Sequence, residues 1–157
     1  MVDHLVLAAS GLSTDSKSEA NLQGLSALST LVKTKGLEHV IQLTLDTPFV
    51  LSRQNAAGRE KVRQIYLDNH DVLESGFPLY VLWEPVQPPP EDRLGMIRGP
   101  VLILQGDNDS PVYAAMTEKI SKRIPQSTTV VIAGGTHFLN LEKPNEFNEA
   151  VLKFLGR

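Results

Sequence analysis

The clearest hydrophobic pattern lies in the second half of this chain, where short apolar runs alternate with apolar residues at helical spacing. Residues 101–105 and 128–133 are apolar runs of strand length, and residues 3–9 form a similar run. The continuous apolar run at residues 3–9 is typical of a strand buried on both faces. Two helical faces follow the later strands, one made of Tyr113, Met116, Thr117, Ile120 and Ile124 and the other of Phe147, Val151, Phe154 and Leu155. This order predicts an α/β fold with a short parallel sheet and right-handed crossovers.

The segment from residue 13 to residue 92 has a mainly helical pattern. Residues 21–32 and 52–70 are expected to form helices, whereas residues 37–45 fit either a helix or a strand. The helix at 52–70 would have two different faces. One face is formed by Val62, Ile65, Tyr66 and Asn69. The opposite face is basic and is formed by Arg53, Arg59, Lys61 and Arg63. The basic face is either an ordinary solvent-exposed helix surface or a binding surface for an anionic substrate.

Residues 76–100 hold six of the ten prolines. A stretch of this composition is extended and stiff, so it is expected to connect two structural layers. Trp83, the only tryptophan, lies within it. Its side chain would either line a pocket or pack the connector against the core.

The composition excludes several classes of protein. The net charge is −3 at pH 7, whereas a nucleic-acid or anionic-membrane surface would be basic. There is no cysteine, the four histidines lack paired metal-ligand spacing, and no glycine-rich phosphate loop is present. No apolar run approaches the roughly 18 residues of a membrane span. We therefore expect a cytoplasmic protein with no metal, no cofactor, no nucleic-acid partner and no membrane span.

An aspartate and a histidine follow the two strands of the second half. Asp109 comes just after residues 101–105 and a tight turn at Gly106, and His137 follows residues 128–133 and two glycines. Sites in open α/β sheets form at the carboxyl ends of the strands. A carboxylate that accepts from the imidazole Nδ1–H would orient the base of a nucleophile–base–acid triad. Asp107 is an alternative acid, and the structural alternatives are helix capping by either aspartate and a plain loop histidine.

Two segments resemble the alpha/beta hydrolase family. Residues 93–109, which end in Gly106, Asp107, Asn108 and Asp109, are similar to the segment that enters the penultimate strand and acid turn of that family. Residues 134–144, from Gly-Gly-Thr-His to Lys-Pro, resemble its histidine loop and the start of its final helix. The resemblance implies that Asp109 is the triad acid and that His137 is the base.

The same resemblance implies a partial α/β-hydrolase fold, with a short parallel sheet, flanking helices and a mainly helical cap insertion. Residues 1–12 and 93–157 would form the C-terminal part of the core, with residues 3–9 as the family's sixth strand. Residues 13–92 would form the cap or lid region with its proline-rich connector. The resemblance is strong over 93–157 and weak over 13–92, where caps diverge with substrate.

The family's nucleophile is the part that this sequence does not show. In the family it sits on a strand–turn–helix elbow that precedes the acid and the histidine along the chain. Ser10 and Ser13 flank Gly11 without the elbow pattern, and Ser26 lies in a predicted helix. We therefore expect the nucleophile and the oxyanion donors to belong to an N-terminal half that is absent from this chain, which alone would be inactive.

Three hypotheses for function follow. The first is hydrolysis of a small apolar ester, or a related acyl bond, by a nucleophile–His–Asp triad. The second is a non-catalytic binding or interaction module derived from the same scaffold, and the third is an unrelated small doubly wound domain. Because an apolar strand without a neighbour is an open edge, we also expect residues 3–9 to pair with the missing N-terminal half or to mediate self-association.

Overall fold

The computed structural model describes residues 2–12, 19–75 and 87–157, with side chains for all of these except residues 19–26. The interpretations of Ser13 and Trp83 fall outside the described residues. The strands are β1 Leu5–Ala8, β2 Val101–Gly106 and β3 Ser127–Ile132. The helices are α1 Glu19–Lys35, α2 Leu37–Asp46, α3 Ala56–Asp68, α4 His70–Ser75, α5 Pro90–Arg93, α6 Pro111–Arg123, α7 Leu139–Glu142 and α8 Pro144–Phe154, with a 3-10 turn at Leu94–Met96.

The chain divides into two compact units. The first unit consists of residues 1–14, 49–52 and 88–157, and the second of residues 15–48 and 53–87. All three strands belong to the first unit, together with α5 to α8. The second unit contains α1 to α4.

The first unit is built on a three-stranded parallel sheet in the order β1-β2-β3. In the register of the sheet, Val101 lies between Leu5 of β1 and Ser127 of β3. All six residues of β2 are buried, as expected for the middle strand of a parallel sheet. The prediction that the first strand is also fully buried is wrong: β1 is half-buried, because within the described residues it pairs with β2 alone.

Helices α6 and α8 cover opposite faces of this sheet. Side chains alternate between the two faces of a strand, so β2 supplies both cores. The α6 face buries Val101, Ile103, Ile120 and Ile124. The α8 face buries Leu102, Leu104, Ile132 and Leu139, with Phe147, Val151 and Phe154 packed against them. Burial of each of these large apolar side chains stabilises the fold by about 1.5–3 kcal/mol. This packing holds β2 and β3 in place, and the candidate site lies at their carboxyl ends.

Helices α5, α6 and α8 of the first unit begin at prolines. Ser110 Oγ accepts a hydrogen bond from Val112 N at 3.3 Å, and Pro111 takes the first helical position of α6. Pro144 opens α8 and Pro90 opens α5 in the same way. Proline suits this position because its missing N–H would have no acceptor inside the helix. Residues 90–93 are therefore helical, and the extended connector predicted for 76–100 is wrong in this part.

In its described residues, the second unit contains four helices. The ambiguous residues 37–45 form α2, because its apolar side chains gather on one face and are buried. The buried apolar residues of this unit include Val32, Val40, Ile41, Leu45 and Val62. Ser29 Oγ donates to Glu74 O at 3.2 Å, which ties α1 to α4. None of the described helices is both long enough and apolar enough to span a bilayer.

Helix α3 differs from its prediction in two ways. It starts at Ala56 because Asn55 Oδ1 accepts from Gly58 N at 2.8 Å and caps the helix. Ile65, expected on the buried face with Val62, is 48% exposed.

The predicted basic face of α3 is partly occupied by structural contacts. Arg59 Nη1 donates to Leu45 O at 2.7 Å, and Arg63 Nη2 lies 2.7 Å from Glu38 Oε2. Both contacts join α3 to α2, so two of the four basic side chains serve the packing of this unit.

Candidate active site

The carboxyl ends of β2 and β3 meet at a close backbone contact between two glycines. A Cβ placed on Gly106 would collide with the carbonyl group of Gly135, so no larger residue fits there without a shift of the main chain. Asn108 N donates to Gly135 O at 2.9 Å and Asp107 N to Ile132 O at 3.3 Å. These bonds hold the two loops side by side.

Asp107 has a structural contact in this arrangement. Its Oδ1 accepts from Gly134 N at 2.6 Å, at a glycine with φ of 70°, in the left-handed region that glycine adopts readily. The side chain therefore links the loop after β2 to the loop after β3. This contact orients Asp107 toward the backbone of the histidine loop.

Asp109 and His137 lie together, as two residues at neighbouring strand ends should. His137 Nδ1 is 3.2 Å from Asp109 Oδ2. The Asp109 side chain is 0% exposed, whereas that of His137 is 29% exposed. Since a carboxylate can only accept, the Nδ1 position carries the proton in this pair. The ring is thus held at Nδ1 by a buried acceptor, and part of the side chain is exposed.

The backbone fixes both members of the pair. Asp109 Oδ1 accepts from Ser110 N at 2.6 Å, so both carboxylate oxygens have donors. His137 N donates to Phe49 O at 2.8 Å, and Phe138 N donates to Val50 O at 3.2 Å. Residues 49–52 therefore anchor the histidine loop within the first unit. No sequence pattern pointed to this anchor, because it is made by main-chain atoms of Phe49 and Val50.

An aromatic ring covers the imidazole. The ring centroids of Tyr113 and His137 are 4.2 Å apart, with planes inclined by 36°. Phe138 approaches the same imidazole edge-on, with centroids 6.0 Å apart. The sequence placed Tyr113 on the buried face of α6, and its residue type and spacing gave no sign of a contact with His137.

The candidate serines do not complete a triad in the described structure. Ser10 follows β1, and its Oγ donates to Ala8 O at 3.5 Å. The neighbouring Ala9 has φ of 44°, a left-handed conformation that costs a residue with a Cβ about 1–2 kcal/mol. Ser26 lies in α1. Among the described residues, no three His, Asp or Glu side chains gather closely enough to bind a metal ion.

A cavity of about 570 Å³ lies between α8 and the β3 side of the sheet. Its floor is apolar and includes Val130, Ala150 and Phe154, and Glu146, Glu149 and Lys153 are also in its lining. Asp109 and His137 are not among its lining residues, so this cavity is separate from the acid–histidine pair.

A family model described as the alpha/beta hydrolase fold matches residues 27–144, more than half of the chain. The chain belongs to the alpha/beta hydrolase family. The hypothesis of an unrelated doubly wound domain is therefore wrong. The match begins within α1, so it includes most of the segment in which the sequence resemblance was weakest.

Individual alpha/beta hydrolases agree with this assignment. The chain is 33% identical over 63 residues to a putative carbamate hydrolase, RutD, of Agrobacterium fabrum, a match that covers 40% of this chain and 24% of that protein. MenH from S. aureus superimposes with a TM-score of 0.71 at 22% identity, covering 99% of this chain and 59% of MenH. A thermophilic esterase from Thermogutta terrifontis gives a TM-score of 0.74 at 23% identity, covering 98% and 56%.

The chain thus spans less than two thirds of the length of each of these proteins. The two structures, at this level of identity, show the fold of the alpha/beta hydrolase family. They confirm the partial α/β-hydrolase fold expected from the sequence. Membership of the family supports a hydrolase type of function.

Proposed function

We propose that this chain supplies the acid and the base of an alpha/beta hydrolase that cleaves esters or related acyl bonds. His137 is the general base and Asp109 orients it. The observation that carries the proposal is the 3.2 Å contact between His137 Nδ1 and a fully buried Asp109 carboxylate. A buried carboxylate at this position fixes the tautomer with Nδ1 protonated, so that Nε2 is the basic nitrogen.

The chemistry assigned to this pair is acyl transfer in two steps. His137 Nε2 takes the proton of a nucleophilic hydroxyl as its oxygen attacks the acyl carbon, and the imidazolium then protonates the departing alkoxide. In the second step Nε2 takes a proton from water, which attacks the acyl-enzyme, and the imidazolium then gives that proton to the nucleophile oxygen as the acid is released. Asp109 stabilises the imidazolium in both steps. The nucleophile and the oxyanion donors belong to residues outside this chain.

The substrate class follows from the chemistry of the pair and from the relatives. A nucleophile, base and acid triad acts on activated carbonyl groups, and the names of the relatives refer to a carbamate hydrolase and an esterase. We assign a small apolar ester, or a related acyl compound, as substrate. Residues 13–92 are assigned as the family's variable cap, the part that selects among such substrates.

The partner of this chain in the proposal is the nucleophile-bearing half of the fold. The supporting observation is the half-buried β1, which within the described residues has a paired neighbour on one side only. Pairing there would cover Leu5, Val6 and Leu7 and satisfy the outer main-chain groups of the strand. Self-association of two copies through the same edge is the other arrangement that this strand allows.

The first test replaces the proposed base. In the assembled hydrolase, His137→Gln should lower kcat by about 10²- to 10⁴-fold, because general-base catalysis contributes that much. Asp109→Asn should cause a loss of the same order, since it favours the wrong tautomer. The measurement is hydrolysis of a p-nitrophenyl ester and labelling by a fluorophosphonate probe, which requires an activated serine.

The matched control is His39→Gln, an exposed histidine on α2. This control should retain full activity. If His137→Gln retains full turnover as well, His137 is not the base and the proposal fails.

A second candidate function is that of a non-catalytic binding module, which retains the alpha/beta hydrolase fold but does not catalyse hydrolysis. It is favoured by the sequence, which contains no Gly-x-Ser-x-Gly elbow in its 157 residues. This alternative expects a stable protein that binds apolar ligands and takes up no fluorophosphonate, whether alone or with any co-purifying chain. Labelling of a partner or of a longer polypeptide would exclude it.

A further inference from the structure

We infer that Tyr113 is a positioning residue for the proposed base, holding one face of the His137 ring while Asp109 holds its Nδ1 edge. The inference rests on the proposed function of His137. Its starting point is the tilted ring contact, with ring centroids 4.2 Å apart and planes inclined by 36°. Contacts between aromatic rings add stabilisation beyond the area that they bury.

The acid and the aromatic ring belong to a single turn of chain. Asp109 Oδ1 accepts from Ser110 N at 2.6 Å, and Tyr113 N donates to Ser110 O at 2.9 Å. Ser110 therefore bonds to Asp109 through its N–H and to Tyr113 through its carbonyl. The turn at the start of α6 thus constrains the His137 imidazole in two ways, through the Asp109 carboxylate at Nδ1 and through the Tyr113 ring against its face.

The two constraints act on different motions of the ring. A hydrogen bond at Nδ1 fixes the direction of one nitrogen but tolerates rocking of the ring about that bond. A stacked neighbour opposes rocking, because tilting the imidazole toward Tyr113 would bring the rings into collision. Together they restrict the position of Nε2, the atom that must reach the nucleophile. A displacement of about 1 Å at such an atom can cost about 100-fold in rate.

The Tyr113 ring is itself supported. It is half-buried, and a Cβ placed on Gly11 would lie 3.7 Å from Tyr113 Cε1, which places the loop after β1 against the ring edge. On the same helix, Met116 Sδ accepts from Leu12 N at 3.4 Å, which joins that loop to α6. The ring is thus packed against protein and is not a freely rotating surface side chain.

The contact also suits the charge that the mechanism creates. When His137 takes a proton it becomes a cation beside the face of an aromatic ring, an arrangement that is attractive. This contact is made by the aromatic ring of Tyr113 and does not require its hydroxyl group. Phenylalanine should therefore replace tyrosine, whereas an aliphatic side chain should not.

The test combines a spectroscopic and a kinetic measurement. In the 157-residue chain, the proton resonances of the His137 ring should carry the ring-current shift of a stacked aromatic neighbour. Tyr113→Phe should keep that shift and Tyr113→Leu should abolish it. In the assembled hydrolase, Tyr113→Leu should lower kcat by about tenfold, below the roughly 100-fold cost of a full 1 Å misplacement, with KM unchanged. Tyr113→Phe should restore kcat.

The neighbouring exposed residue provides the control, and Val112→Ala should change neither measurement. If Tyr113→Leu does not fold, Tyr113→Met makes the same comparison with a long side chain that lacks a ring. An unchanged ring-current shift in the aliphatic variant would show that the stack does not exist. Loss of the ring-current shift with unchanged kcat would show that the two rings are in contact but that Tyr113 does not position His137 for catalysis. Failure of the proposed function itself is separate, because it appears as full activity in His137→Gln.

Discussion

The closest approach in the site is between two residues without side chains. Gly106 ends β2 directly against the backbone of Gly135, and a Cβ on Gly135 would in turn collide with Leu139 Cδ1. Backbone freedom is one reason for a glycine in a tight turn. The structure adds a stronger requirement, because at Gly106 there is no space for a side chain. The distance between the acid loop and the histidine loop depends on this contact.

Replacement of Gly106 by alanine should therefore destabilise the protein. Overpacking of this kind costs about 1–3 kcal/mol, and here the colliding atom is backbone that cannot turn away. Urea-induced unfolding of Gly106→Ala should show this loss, and separation of the two loops should also reduce hydrolysis in the assembled enzyme.

Gly95→Ala is the matched control for that variant. A Cβ on Gly95 would lie 3.8 Å from Arg123 O, an ordinary contact, so its stability should hardly change. Equal stability of the two alanine variants would contradict the packing argument.

The elements of the first unit show which parts of a fold can be predicted from sequence. The ranges 101–105 and 128–133 correspond to β2 and β3, because their short length, their flanking glycine and proline and their β-branched residues favour a strand over a helix. Helices α6 and α8 start at Pro111 and Pro144, and a proline at the first helical position is a start signal that can be read from sequence.

Other features depend on contacts that no local pattern encodes. The exposure of Ile65 follows from how α3 packs on its neighbours. The contact of the Tyr113 ring with His137 joins residues 24 positions apart, one in helix α6 and the other in the loop after β3. The pairing of Asp109 with His137 could be anticipated, because parallel strands bring their carboxyl ends to one edge.

An ion-pair cluster fastens α5 to α6. Glu91 Oε1 lies 2.6 Å from Lys119 Nζ and 2.9 Å from Arg123 Nη1, and the Glu91 side chain is 14% exposed. The hydrogen bond from Lys119 and the positive charges of both partners lower the pKa of Glu91 below its usual value. A carboxyl whose pKa is lower in the folded state stabilises the fold above its unfolded pKa, and that stabilisation is lost as the pH falls through the folded pKa.

Glu91→Gln should therefore lower the melting temperature at neutral pH, and the difference from the unsubstituted chain should disappear as the pH falls below the usual range of glutamate. Thermal unfolding at several pH values measures both effects. Glu118→Gln is the control, since Glu118 also has a lowered pKa from Lys122 but that pair is far more exposed. Its effect should be smaller, because exposed pairs contribute little. A pH-independent loss in Glu91→Gln would show that packing, not charge, is responsible.

At the scale of the molecule, the main feature is a parallel sheet whose first strand has a partner on one side within the described residues. Leu5 N donates to Pro100 O at 3.1 Å and Ala9 N to Leu104 O at 3.0 Å, so the odd-numbered amides of β1 point toward β2. The alternation of a strand directs the N–H groups of Val6 and Ala8 to the other side. Such an edge pairs readily with another strand.

Ala8→Pro should weaken that pairing. Proline removes one outward N–H and keeps the two bonds from Leu5 and Ala9 to the neighbouring strand. Sedimentation velocity of the 157-residue chain should show association that this variant reduces. The control Val2→Lys alters an exposed residue just before β1 and should leave association intact. A monomer before and after the substitution would contradict self-association and leave pairing with the nucleophile-bearing half as the arrangement to test.

The turn at Ser110 has a consequence for monitoring the site without any substrate. Its amide hydrogen is held by the Asp109 carboxylate, which is buried beside His137. This hydrogen can exchange with heavy water only when its hydrogen bond to the carboxylate opens. The exchange rate therefore measures how often the Asp109 side chain moves away from Ser110 N. One backbone amide resonance can thus report how firmly the Asp109–His137 pair is held, without any substrate turnover.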